Sequence, residues 1–351
     1  MQFRMEAGCT SPFEKELFLV SVDEKGLQAV VDLFARDAPD VDEADFIPSE
    51  HFDQLAALGL YGAFASDDDG GLGLSLAQMC DAVERLASAC LASTFVWIQH
   101  FRLLAAVLDP GAPDFVRAQR DHVIAGRLKG GVVLTGQLPG PVRLSATPTR
   151  DGWSLSGNAP WVSGWGMVDT LFVAARGPQD TVVTCCLDAR EQLGLNVTRH
   201  HLSALNATAT VRLDFEEMLV TTDHIVSQFD YDPSNERPEG LRVNGSLALG
   251  VIRRCCDMLG PSPLDDQLRH CRIELDEATI ETMPSARARA CELAVRASHA
   301  LAVHRGSSSV LSGDVAERTA REAALLLTFG SRPSIKQALL EDFGAKEVPL
   351  T

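Results

Sequence analysis

The chain has 351 residues, 46% of them hydrophobic, enough for one large or two to three small folding units with a sizeable core. Its 48 acidic against 31 basic residues give a net charge of -17, which excludes a phosphate-backbone binder, because that contact needs a Lys/Arg surface; no nucleic-acid partner is expected. The acidic average leaves room for an anionic small ligand, which a few local cations and helix N-termini bind.

The opening run MQFRMEAGCTSPFEKELF mixes charges of both signs and lacks a basic n-region followed by an apolar h-region. No secretory signal is expected, and the protein is read as cytoplasmic. From about Glu24 to Lys129 apolar residues recur at helical spacing, as in Leu27, Val30, Val31, Leu33 and Phe34. The turn formers and glycines of Ser66–Gly73 interrupt this pattern, and Ser75 is placed to cap the helix through Met79, Val83 and Leu86. Leu91 to Leu108 is the most apolar stretch, but Gln99, His100 and Arg102 interrupt it, so it reads as a buried core helix and not a membrane span.

Around Gly130 the texture changes to short β-branched runs: Val132–Thr135, Trp153–Leu155, Thr170–Ala174, Thr181–Leu187 and Ala209–Phe215. Asp151-Gly152 and Gly157-Asn158 are hairpin-type dipeptides, which favours an antiparallel meander over βαβ units, and no G-x-G-x-x-G follows a strand. After the polar linker 232–238, helical periodicity returns at Leu241–Gly260, about Ala286–Val303 and Val315–Phe329. The expected architecture is α+β and multidomain: an N-terminal helical domain over residues 1–130, a central antiparallel β domain over 131–228, and a C-terminal helical bundle over 229–351.

Nine cysteines include the adjacent pairs Cys185-Cys186 and Cys255-Cys256, with no CxxC and no zinc-ligand spacing. They read as reduced, mostly buried thiols. His200-His201 lack a third ligand at useful spacing and read as loop residues, so no metal is assigned.

Three segments resemble the acyl-CoA dehydrogenase family. Leu58-Gly-Leu-Tyr-Gly-Ala-Phe-Ala followed by Asp69-Gly-Gly-Leu-Gly-Leu-Ser is similar to the family's helix-loop-helix entry with its GG-x-G. Ala146 through Gly164, ending Trp161-Val-Ser-Gly, resembles the family's run that closes on W-I-T-N. Leu205 through Val220 resembles the strand that leads out of the family's β domain. The resemblance implies FAD as cofactor, with Trp161 packed against the isoalloxazine and the Ser163 hydroxyl at its N5 edge. A core Trp beside a strand-end Ser is the plainer reading of the same pair. Thr135 and Gly136 stand where the family holds the pyrimidine edge of the flavin. The family's pyrophosphate serine has no clear match in Gln137-Leu-Pro-Gly-Pro-Val-Arg, and its R-x-x-F-G has none in Gly260-Pro-Ser-Pro. Arg332 stands at the family's Gly-rich turn and is a candidate for phosphate charge, or part of a plain capping turn.

Dehydrogenation takes an α-proton from an acyl thioester while hydride leaves for the flavin, so a carboxylate base is needed. No Tyr-Glu-Gly occurs in the sequence. Some relatives place the base early in the helix that here begins near Gly240, where Leu241 and Arg242 face the site and Glu239 is the nearby carboxylate. Its other reading is a helix N-terminal charge favoured by the dipole. His100 lies on a helix that passes the family's acyl pocket and is an acid/base candidate, or a satisfied core histidine.

The resemblance implies FAD-dependent oxidation of an acyl thioester, bound to CoA or a carrier. A flavin monooxygenase of the same fold and a catalytically silent subunit that pairs with an active paralogue are the alternatives. The family assembles through its C-terminal bundle, so a homodimer or homotetramer is expected.

Overall fold

A computed structural model of the chain describes residues 22–232, 238–330 and 332–346. The opening run, Cys9, most of the 232–238 linker and Ser331 lie outside the described residues. The first helices are α1 (Glu24–Glu43), α2 (Ser49–Ala57), α3 (Leu76–Ala89), α4 (Leu91–Ile98), α5 (Phe101–Leu108), α6 (Asp114–Arg117) and α7 (Arg120–Ile124). Strands β1 (Gly130–Val133), β2 (Leu144–Thr149), β3 (Gly152–Val162), β4 (Thr170–Arg176), β5 (Thr181–Asp188), β6 (Leu195–Arg199), β7 (Val211–Thr221) and β8 (Ile225–Asp230) follow. Helices α8 (Pro238–Leu259), α9 (Pro263–Asp276), α10 (Met283–Arg305), α11 (Val315–Thr328) and α12 (Pro333–Asp342) close the chain.

Local chemistry accounts for the boundaries. The Asp23 side chain accepts from the Lys25 N–H at the start of α1, which buries Leu27, Val30, Phe34, Ala38 and Val41 along one stripe. Ser75 caps α3 in a reciprocal box with Gln78. The glycine loop before it is obligatory at Gly71: a Cβ there would sit 2.4 Å from the Ala65 carbonyl oxygen. The apolar run 91–108 is two helices and not one, because the N–H groups of Gln99 and His100 bond three residues back, to Val96 and Trp97, and tighten the turn. Helix α9 is an element that periodicity missed. Its buried stripe is only Leu268, Cys271 and Leu275 in an otherwise charged segment.

The strands form one sheet in the order β6-β7-β3-β2-β4-β5-β8, with β1 alongside β4. β1 runs parallel to β4, in register from Gly130 opposite Thr170, so the sheet is mixed and not the antiparallel meander expected. The chain leaves β1 through a 3-10 turn and returns through the β2–β3 hairpin before β4 begins, which brings β4 back in the direction of β1. Asp151-Gly152 forms that hairpin, with Thr149 opposite Gly152. Gly157-Asn158 forms no turn. It lies within β3 at a shift of register against β7, where a Cβ on Gly157 would meet the Arg143 carbonyl oxygen at 2.1 Å.

Two cores flank the sheet. The larger one joins α1–α4, one sheet face and the C-terminal bundle; the smaller lies under α5–α7 against Phe172, Cys186 and Val226. Adjacent Cys185 and Cys186 therefore face different cores. The eight described cysteines are free and buried, and burial pushes the thiols of Cys186 and Cys255 up to about 12. Such thiols are inert to oxidation at neutral pH.

The helical domains meet where α3 packs on α8. Gly250 lets the backbones touch: a Cβ there would lie 2.7 Å from both the Ala87 Cβ and the Glu84 carbonyl oxygen. One turn on, the buried Arg254 guanidinium donates to the carbonyls of Ser88 (2.8 Å) and Ala87 (3.1 Å), to Thr319 (3.2 Å) and to Glu322 (2.5 Å). Gly250→Ala should lose about 1–3 kcal/mol by overpacking this seam, measured by urea unfolding. Arg254→Met, which leaves the buried Glu322 carboxylate only the Arg318 guanidinium at 3.9 Å, should lose about 3–5 kcal/mol, and adding Glu322→Leu should restore part of it.

Candidate functional site

Trp161, next to last in β3, takes the outward-facing position of the alternation and is 67% exposed. The core-tryptophan reading is thereby corrected. The exposed indole is not loose. His200 lies 4.7 Å away at 33°, and the His200 Nε2–H donates to the Pro160 carbonyl at 2.7 Å, which fixes the pair. His200, read from sequence as a plain loop residue, is thus the backing of Trp161.

Two residues on, half-buried Ser163 begins a line of hydroxyls. Ser163 Oγ lies 2.8 Å from Thr210 Oγ1, which lies 2.8 Å from Thr208 Oγ1, and the Thr208 hydroxyl donates to the Leu205 carbonyl at 2.8 Å. Thr208 and Thr210 are buried. They are brought there by a strained loop in which Leu205 and Ala209 hold φ of 57° and 47°, a left-handed conformation rare for side chains with a Cβ. The loop is clamped from outside: Asn206 Nδ2 donates to the Ala44 carbonyl at 3.2 Å, and Arg321 donates to the Ser203 carbonyl at 2.7 Å while pairing with Asp42 and Glu317.

Thr135 and Gly136 form the 3-10 turn after β1. The Thr135 hydroxyl is half-buried and makes no hydrogen bond among the described residues. Gly136 approaches its own protein: a Cβ would meet the Ala175 Cα at 2.5 Å, and Arg176 Nε donates to its carbonyl at 3.0 Å. At its other end β1 adjoins Ser163, since a Cβ on Gly131 would lie 3.7 Å from the Ser163 carbonyl oxygen. Arg332 lines a pocket of about 190 Å³ together with Gln137, Arg102, Tyr231 and Phe172, which brings it beside the turn of Thr135 and Gly136.

The two acid/base candidates stand elsewhere. His100 is buried, its Nδ1 accepts from the Gly130 N–H at 3.0 Å, and Tyr61 packs edge-on at 4.7 Å. Burial pushes its pKa down to about 3, so the imidazole is neutral. Glu239 is exposed in the first turn of α8. The inward position there belongs to Arg242, whose guanidinium donates to Asp276 (2.7 Å) and Ser246 (2.8 Å). Among the described residues the fully buried carboxylates, Glu84 and Glu322, are held by Arg272 and Arg254. The Gly260–Pro263 segment is taken up by capping: at the start of α9 the Ser262 hydroxyl accepts from the Leu264 N–H and the Asp265 carboxylate from the Ser262 N–H.

A fixed, exposed aromatic plane beside a hydroxyl, with a second uncommitted hydroxyl at Thr135, fits a flat heteroaromatic cofactor with polar edges.

Because His100 is neutral when folded, the unfolded chain binds a proton below about pH 6.5 that the folded protein refuses until about pH 3, and stability falls as pH falls through that window. His100→Gln, which keeps an acceptor for Gly130, should flatten stability against pH by about 1.4 kcal/mol per unit between roughly pH 6 and 4, measured by denaturant titration.

Residues 23–118 match the family model described as "Acyl-CoA dehydrogenase, N-terminal domain". Benzylmalonyl-CoA dehydrogenase of Aromatoleum aromaticum is 26% identical over 64% of this chain and 65% of its own length. L-evernosamine nitrososynthase of a Micromonospora species is 30% identical over 67% of this chain and 56% of its own. The chain thus spans less than two thirds of these relatives. Among solved structures, butyryl-CoA dehydrogenase of Megasphaera elsdenii superposes with a TM-score of 0.76, at 15% identity over 97% of this chain and 99% of that one. The FMN-bound dibenzothiophene monooxygenase of Paenibacillus sp. A11-2 gives 0.72, at 16% identity over 91% and 96%. Residues 23–118 thus carry the acyl-CoA dehydrogenase N-terminal domain, and the chain as a whole has the acyl-CoA dehydrogenase fold.

Proposed function

We propose that this protein is a flavin-dependent oxidoreductase that holds FAD with the isoalloxazine on the Trp161–Ser163 face and oxidises an acyl thioester carried by CoA or a carrier. The observation that carries this reading is the exposed Trp161 indole, locked by His200 beside the Ser163 hydroxyl. An indole left in solvent costs apolar burial, about 25 cal/mol per Å², unless a partner covers it. The Thr135 hydroxyl is suited to a polar edge of the ring, and Arg332 with Arg102 in the adjoining pocket to phosphate. When bound, the flavin supplies the two-electron chemistry; the protein supplies the plane, the hydrogen bonds and the exclusion of water.

A second reading, a flavin monooxygenase using reduced flavin and oxygen, is favoured by Arg242. Its guanidinium is tied to Asp276 and Ser246, and Glu239, the nearby carboxylate, is exposed to solvent, so the start of α8 presents no inward carboxylate for proton abstraction. Homodimer or homotetramer assembly through the C-terminal helices is supported by exposed Val303, Val310 and Leu311 at the end of α10 and the turn after it.

The purified chain should bind FAD or FMN at micromolar concentration with perturbed flavin absorbance, and Trp161→Ala should weaken binding about tenfold or more; unchanged binding in that variant would displace the site. Anaerobic bleaching of the bound flavin by an acyl-CoA supports the dehydrogenase, and substrate oxygenation dependent on externally reduced flavin supports the monooxygenase.

A further inference from the structure

The hydroxyl line behind Ser163 has a direction that proton counting settles. Three hydroxyls, of Ser163, Thr210 and Thr208, make three oxygen-to-oxygen contacts of 2.8 Å, the last to the Leu205 carbonyl. Each contact needs one proton between its oxygens, and each hydroxyl supplies one. A carbonyl supplies none, so the Thr208 proton goes to Leu205. The Thr210 proton must then fill the contact to Thr208, and the Ser163 proton the contact to Thr210. Reversing any link leaves two desolvated oxygens face to face at 2.8 Å, in buried surroundings where an unmade hydrogen bond is costly. The loop cannot relax to relieve that, because Asn206 and Arg321 hold it and the Gly164 N–H donates to the Thr208 carbonyl at 2.7 Å.

We propose that Thr208 and Thr210 are positioning residues that turn the Ser163 hydroxyl inward, so that Ser163 meets its ligand only as a hydrogen-bond acceptor and the site selects reduced over oxidised flavin. This rests on the reading of the Trp161–Ser163 face as a flavin platform with the N5 edge at Ser163, the placement the family resemblance implies. The N5 atom of an oxidised flavin carries no hydrogen and can only accept; the reduced ring carries N5–H and donates. An acceptor-only Ser163 therefore pairs with the reduced ring and is set against the oxidised one. Such a preference suits the second reading, an enzyme that borrows flavin already reduced, and weighs against the dehydrogenase, whose reaction starts from oxidised flavin.

The test measures dissociation constants of the full chain for dithionite-reduced and for oxidised FMN and FAD, anaerobically, by tryptophan fluorescence quenching. The wild-type protein should bind the reduced form at least about tenfold more tightly, the size of one hydrogen bond gained against one opposed. Thr208→Val removes the inward acceptor and lets Thr210 and Ser163 reverse, so the ratio should collapse to within about threefold. Thr208→Ser retains the hydroxyl and should restore the ratio. If Thr208→Val does not fold, Thr210→Val breaks the line one link further out with the same expected collapse. Equal binding of both redox forms by the wild-type chain, or a ratio that survives the loss of the Thr208 or Thr210 hydroxyl, overturns the proposal while leaving the flavin platform standing. Binding of neither form removes the platform itself and the proposal with it.

Discussion

The Arg321 guanidinium joins three parts of the molecule that share no continuous backbone near it. From α11 it reaches Asp42 at the end of α1, Glu317 on its own helix, and the Ser203 carbonyl at the head of the strained loop. Part of the group is open to solvent, so its value is geometric more than energetic. Glu317 takes the Nε/Nη2 fork of the guanidinium and Asp42 the Nη1/Nη2 fork, and the remaining Nη1 donor is aimed at a main-chain oxygen whose position follows from theirs. The left-handed Leu205 and Ala209 survive because other domains hold the head of the loop at Ser203 and its middle at Asn206. The threonine hydroxyls sit where they do because that loop does not relax.

Buried arginines repeat this logic in the interior. Arg254 satisfies the final carbonyls of α3, which have no helical partner, and is itself held charged by Glu322. The α3–α8 seam is close enough, at Gly250, for those carbonyls to be within reach. Small residue and large cation are one device: the first brings the backbones together, and the second occupies the polar groups that contact would otherwise bury unsatisfied.

Much of this was legible in the sequence. The α, β, α order, the Ser75 cap and the burial of the described cysteines follow from periodicity and turn chemistry. What escaped has a common cause. The parallel pairing of β1 is a long-range event that no local pattern encodes. Gly157-Asn158 has the composition of a turn, yet cross-strand pairing on both sides carries β3 straight through it. Helix α9 hides because three apolar residues suffice when a bundle supplies the rest of the contact. In the site, the sequence reading passed over Thr208 and Thr210, because their stacking onto Ser163 depends on two left-handed residues that are neither Gly nor Asn. Trp161 looked equally like a core residue, because alternation alone does not say which sheet face a strand end leaves uncovered.

A row of hydroxyls that ends on a carbonyl behaves as a one-way device whatever its length, since the direction of the whole row is written at its innermost member. In this protein that member is Thr208, buried and two links behind the surface. Exchange of one interior hydroxyl for a methyl would thus leave the shape of the ligand-facing surface intact and alter only the sense in which it offers its hydrogen bond. Under the flavin reading proposed for this face, redox bias and ligand shape are separately adjustable, and variants that differ in cofactor preference can arise with no change at any residue that touches the cofactor.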